Sequence, residues 1–287
     1  MGGATGSALP HFVIVGAMKC GTTTLFEQLE AQPCLHLSDP KEPEFFSDDA
    51  IFARGLDWYR GLFDGAPAGA LCGEASTGYS KRPTYPLAAE RLAAAAPGAR
   101  IIYITRDPLQ RLISHVVHEW TMRRMSANVP AEVARHPELI DYGRYAMQIA
   151  PYVELFGRER VHVTSLEAMQ ADPQGTMERL GTFLGTPEPL VWRDDLGAGN
   201  VSAKRMRELP FQRAVLGFPP LQWMRRTLIP VAWREAVKER LRPSARPVLP
   251  PELRATLTPV FAEDRAQLVA MFPDAQLHPP VAAEEPA

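Results

Sequence analysis

His11–Phe12–Val13–Ile14–Val15–Gly16–Ala17–Met18–Lys19–Cys20–Gly21–Thr22–Thr23–Thr24–Leu25 is the stretch on which the fold turns. Its first part is a short apolar, β-branched run that stops at a glycine. Thr22 to Leu25 then opens a helical pattern, with Leu25 and Leu29 four residues apart, so the stretch reads as strand, loop, helix. In that setting the glycine spacing is that of a phosphate-binding loop, where backbone N–H groups and a helix N-terminus hold anionic oxygens.

Working outward, the same alternation recurs. Ala70–Gly73, Arg100–Thr105 and Val161–Thr164 are further apolar runs, and helical patterns lie between them, from Pro108 to about Met125 and around Tyr145–Phe156. Leu166–Met169 and Met177–Phe183 read as helices stopped at Asp172–Pro173 and Gly185. Strands separated by helices predict an α/β fold, a central parallel sheet flanked by helices. From Pro210 onward the chain is Pro-punctuated and helical with no clear strand, giving a helical C-terminal part. With 287 residues, one domain over 10–280 is expected, with disordered tails at 1–9 and 281–287.

Composition narrows the class. A hydrophobic fraction of 46% and a charged fraction of 22% are globular averages. A net charge of −2 supplies no field for a polyanion, so an anion site has to be built locally, and no motif supports nucleic-acid binding. Cys20, Cys34 and Cys72 have no metal-ligand spacing and read as reduced thiols in a cytoplasmic setting. The first ten residues lack the pattern of a secretory signal, and no apolar run is long enough to span a bilayer.

The loop departs from the usual nucleotide pattern, which puts lysine after the second glycine and then a Ser/Thr that ligates magnesium; here Lys19 lies inside the loop. An ATP or GTP site also needs an acidic strand end for its metal, and no apolar run ends in a convincing Asp. A donor with one phosphate and one sulfate in its anhydride needs less: lysine, hydroxyls and backbone amides suffice, and no metal is expected. A metal-dependent kinase and a non-catalytic nucleotide-binding protein are the alternatives.

At this point the sequence resembles the sulfotransferase superfamily that uses 3′-phosphoadenosine 5′-phosphosulfate, over about Phe12 to Arg207, and most of all its heparan-type, carbohydrate and bacterial members. The resemblance implies that the loop Lys19, Cys20, Gly21, Thr22, Thr23 and Thr24 holds the 5′-phosphosulfate, with Lys19 at the departing phosphate oxygen. Ile101 to Ser114 looks like the family's 3′-phosphate site, with Arg106 leaving a strand and Ser114 eight residues on, about two helical turns, so that both face one phosphate. Asn200–Arg205 falls where the family carries a basic loop over the donor, which makes Lys204 and Arg205 candidate donor ligands. Ser165 to Gly185 resembles a family segment that is mostly structural.

For the acceptor side, Glu74 stands at the end of a predicted strand, the edge where α/β sheets carry ligands, and resembles the carboxylate base of carbohydrate sulfotransferases. Lys41, in Lys41–Glu42–Pro43–Glu44–Phe45–Phe46, looks like a family lysine near the active site that helps bind the sulfonyl group or the acceptor. His115 and His118 are rival bases, since other branches use histidine. The acceptor is expected to be a small molecule, a glycan or a lipid-linked group. Residues 200–246 carry eleven Lys/Arg against three acids, interleaved with aromatic and aliphatic residues, which also suits peripheral membrane contact.

Overall fold

The computed structural model describes residues 9–196 and 246–280. The expectations for Lys204 and Arg205, for the basic stretch 200–246 except Arg246, and for the tails except Leu9, lie outside the described residues; Leu9 packs against the core.

Among the described residues one sheet holds five parallel strands: β1 (Phe12–Gly16), β2 (Leu35–Leu37), β3 (Leu71–Ala75), β4 (Arg100–Thr105) and β5 (Val161–Ser165), in the order β2-β3-β1-β4-β5. The four strands read from the sequence are present. β2, only three residues at the sheet edge, has too little apolar length to announce itself. β1, β4 and most of β3 are buried on both faces, so they are continuous apolar runs and not alternating ones. Gly73 pairs with Phe12 across the β1–β3 ladder, and a Cβ there would lie 2.2 Å from the Phe12 ring. The missing side chain lets the ring lie across the neighbouring strand.

β1 has β3 on one side and β4 on the other, and the chain changes direction across the sheet here. Ligands in open α/β sheets bind outside the carboxyl ends of the strands at such a point. The β1–β4 register shifts between Ile14 and Gly16, just where the loop begins.

The helices start and stop for local reasons. Pro108–Thr121 has Pro108 in its first turn and the Asp107 carboxylate accepting the Gln110 N–H at 2.8 Å. It ends at Thr121, short of Met125, because Arg123 turns left-handed (φ 61°). Ser165 caps Leu166–Ala171, Asp172 caps Pro173–Leu184, and Gly185 ends the latter in the left-handed conformation. The C-terminal helix Pro251–Met271 packs on Tyr145–Phe156 and caps it from outside: Asp264 accepts the Ala146 and Met147 amides at 2.9 and 3.3 Å. Beyond it, Gln276 bridges to Thr164 of β5, an extension where the sequence showed no strand. No helix among the described residues is long and apolar enough to cross a membrane.

Candidate active site

The loop after β1 is shaped by residues that leave the right-handed region: Gly16 at φ 153°, Lys19 at 70° and Gly21 at 91°. Glycine is dictated twice over, since a Cβ on Gly16 would lie 1.9 Å from Ser80 Oγ and one on Gly21 2.8 Å from a Leu166 methyl. The Ala17 N–H donates to the Ile104 carbonyl at 2.8 Å, which ties the loop to the end of β4. The helix Thr22–Glu30 begins with no side-chain cap and no acidic residue in its first turn. Its first amides, and the positive end of its dipole, are therefore left for an anion. Thr23 and Thr24 are half-buried at this end and Thr22 is buried.

Cys20 packs beneath the loop. Its thiol is fully buried, 3.5 Å from the Tyr145 hydroxyl, and burial pushes it up to about 12. It is an inert packing group, and its side chain is not offered to the loop's outer face.

Arg106 follows β4 directly, and its guanidinium donates to the Lys19 carbonyl at 3.4 Å. Two motifs 87 residues apart in the sequence are thereby joined. Ser114 is buried two turns along the helix Pro108–Thr121. On the same helix Arg111 is fully buried, donates to the Leu139 carbonyl and lies 3.4 Å from His115 Nδ1. Burial, then the charges of Arg111, Lys81, Lys19 and His118, push His115 down to about 2. A ring so reluctant to take a proton makes a poor base. His118 is half-buried, its Nε2 3.9 Å from Glu119.

The structure buries the expected base. Glu74 has 0% exposure, and both its oxygens are engaged: Oε1 accepts from Tyr59 at 2.6 Å and Tyr79 at 2.9 Å, and Oε2 accepts from Ser76 at 2.9 Å. Burial pushes its carboxyl up to about 7 against those three hydroxyls, with nearby Glu44 adding to the rise. A base has to come within hydrogen-bond reach of the proton it takes. Glu74 presents no surface to a substrate in this structure.

The carboxylate at the surface of this edge is Glu42, which the sequence reading passed over in favour of its neighbour Lys41. Glu42 keeps 35% side-chain exposure, with Lys41 Nζ 2.7 Å from Oε1 and Thr77 donating to Oε2 at 3.1 Å. Burial alone would raise its carboxyl, but the Lys41 hydrogen bond and charge, Thr77 and Lys81 outweigh it and hold it below the usual carboxylate range. It is charged at neutral pH and reachable. The turn Thr77–Ser80 links it to the donor side, because Thr77 bonds Glu42 and Ser80 packs on Gly16. The signal available in the sequence was an acid beside a lysine, immediately before a proline.

Comparison with known proteins bears on this arrangement. The model of the sulfotransferase domain family matches residues 9–215. Mouse heparan sulfate glucosamine 3-O-sulfotransferase 3B1 is 29% identical over 198 residues, which cover 64% of this chain and 48% of that protein. Human heparan sulfate glucosamine 3-O-sulfotransferase 6 is 29% identical over 187 residues, 61% of this chain and 52% of that protein. The chain spans about half the length of the curated relatives it matches. The crystal structure of a sulfotransferase from Alicyclobacillus acidocaldarius superposes with a TM-score of 0.65 at 27% identity, covering 92% of this chain and 96% of that one.

Proposed function

This chain belongs to the sulfotransferase domain family, and we propose that it moves a sulfonyl group from 3′-phosphoadenosine 5′-phosphosulfate to a hydroxyl or amine of an acceptor. Among carbohydrate, glycolipid and secondary-metabolite acceptors, a carbohydrate hydroxyl is favoured by the glucosamine 3-O-sulfotransferases it resembles. The observation that carries the reading is the contact between Arg106 and the Lys19 carbonyl. It makes one cradle of the helix N-terminus and a separate cationic site, as a nucleotide with phosphates at both 5′ and 3′ positions requires.

The residues present fit that donor. The uncapped amides of Gly21 to Thr24, with the threonine hydroxyls, suit the 5′-phosphosulfate, and Arg106 with Ser114 suits the 3′-phosphate. Lys19, in the same loop, would offset charge on the departing phosphate oxygen. We assign the base to Glu42 and not to Glu74, because only Glu42 is both ionised and reachable. As the acceptor oxygen bonds to sulfur and the bond from sulfur to the bridging phosphate oxygen breaks, Glu42 takes the acceptor's proton. Lys41 keeps that carboxylate charged and oriented between attacks. Three unpaired thiols suit a cytoplasmic setting.

The test is incubation with the labelled donor and a panel of heparan-type oligosaccharides, glycolipids and phenolic metabolites, read by mass spectrometry for one added sulfonyl group. No sulfated product on any class, with the donor intact, refutes the reading.

A further inference from the structure

Glu42 and Glu44 both sit at left-handed φ, 57° and 54°, and neither is glycine. Such backbone persists only where its surroundings over-determine it. The restraint comes from below. The Glu44 N–H donates to Ser76 Oγ at 3.1 Å, and the Phe46 N–H donates to the Tyr79 hydroxyl at 3.4 Å. Between them, Phe45 stacks on Tyr59 with ring centroids 4.6 Å apart. The three residues that receive the segment, Ser76, Tyr79 and Tyr59, are the three whose hydroxyls converge on Glu74.

The direction of these bonds is forced. A backbone amide only donates, so Ser76 and Tyr79 accept from the segment and must send their own protons elsewhere. The Glu74 carboxyl takes them in either state: charged, it accepts all three, and with a proton on Oε2 it still accepts from both tyrosines and donates to Ser76.

We propose that Glu74 is a positioning residue: through Ser76, Tyr79 and Tyr59 it holds the segment Lys41–Phe46, and so Glu42, in place at the sheet edge. This rests on the reading of Glu42 as the base. It gives the buried carboxylate a task that its burial allows, whereas direct contact with the acceptor is one that its burial forbids.

The test is amide-resolved hydrogen exchange on the full chain, with turnover on the productive acceptor and affinity for 3′-phosphoadenosine 5′-phosphate measured on the same samples. Glu74→Ala is expected to speed exchange at Glu44 and Phe46 about tenfold or more and to lower kcat about tenfold, with nucleotide affinity within about twofold of the parent. Glu74→Gln still accepts both tyrosine protons and still lets Ser76 take the Glu44 amide, so exchange and kcat should stay within about threefold. Tyr79→Phe cuts one strut and leaves the carboxylate; it should speed Phe46 alone, and it stands in if Glu74→Ala fails to fold. Unchanged exchange at both amides in Glu74→Ala, or at Phe46 in Tyr79→Phe, overturns the proposal. So does a Glu74→Gln protein with parental exchange and kcat lowered a hundredfold or more, which would make Glu74 the base. Normal turnover in Glu42→Gln, with exchange responding as expected, would remove the base assignment and leave the positioning of the segment intact.

Discussion

Replacing Glu74 by Gln should change how stability depends on pH, and the size of the change follows from the burial. The carboxyl sits at 0% exposure and its folded value is about 7, against an ordinary 4.5. Desolvation is the largest cause, and three hydroxyl donors only partly offset it. The folded-state value is raised, so between those two values the native protein holds a proton that the unfolded chain has released. Stability from this group therefore falls as pH rises from about 4.5 to about 7. A separation of roughly two and a half units, at 1.36 kcal/mol each, comes to about 3 kcal/mol. Glutamine resembles the neutral acid at every pH. The stability of Glu74→Gln relative to the parent should therefore climb by about 3 kcal/mol between pH 4.5 and 8. Urea unfolding of both proteins across that range reads the difference, and contributions common to both cancel, including the opposite slope from His115, whose depressed value makes the fold lose stability as pH falls below 6.5. Parallel profiles, or a difference falling with pH, would show that the hydroxyls outweigh burial and that the carboxylate is comfortable charged.

Other outcomes follow from the same geometry. Glu42→Gln keeps size but removes the proton acceptor, so turnover should fall about 10²–10⁴-fold while affinity for 3′-phosphoadenosine 5′-phosphate holds; steady-state kinetics with calorimetry separates the two. Lys41→Ala removes the ammonium 2.7 Å from Glu42 and should shift the acid limb of the kcat/KM profile to higher pH, because the carboxyl it held down then rises. An unmoved limb would mean that Glu42 is not the group titrating. Arg106→Ala should weaken binding of the 3′-phosphorylated nucleotide by about 1.5–3 kcal/mol. Adenosine 5′-phosphosulfate, which lacks the 3′-phosphate, should bind parent and variant almost alike, and an equal loss for both ligands would point to damage of the loop that Arg106 braces.

Local chemistry made much of this legible in advance. The run Phe12–Val15, the two glycines and the threonines of the loop, the helix start at Pro108, the stop at Asp172–Pro173 and the stop at Gly185 are contiguous signals, read from residues within a turn of one another. The start of the later helix at Pro173, ahead of Met177, came only with the Asp172 cap. Parallel strands follow from their alternation with helices, so the sheet and the donor loop needed no coordinates. Which carboxylate can meet an acceptor is another kind of question. Glu42 and Glu74 have the same side chain, 32 residues apart. In sequence Glu74 looks the better base, at the end of a strand. Only the fold brings Tyr59, Ser76 and Tyr79 around Glu74, removes its water and fills both its oxygens, while leaving Glu42 at the surface beside Lys41. Burial is a sum over contacts from distant parts of the chain, as is the meeting of Arg106 with the Lys19 carbonyl, and no local pattern encodes such a sum.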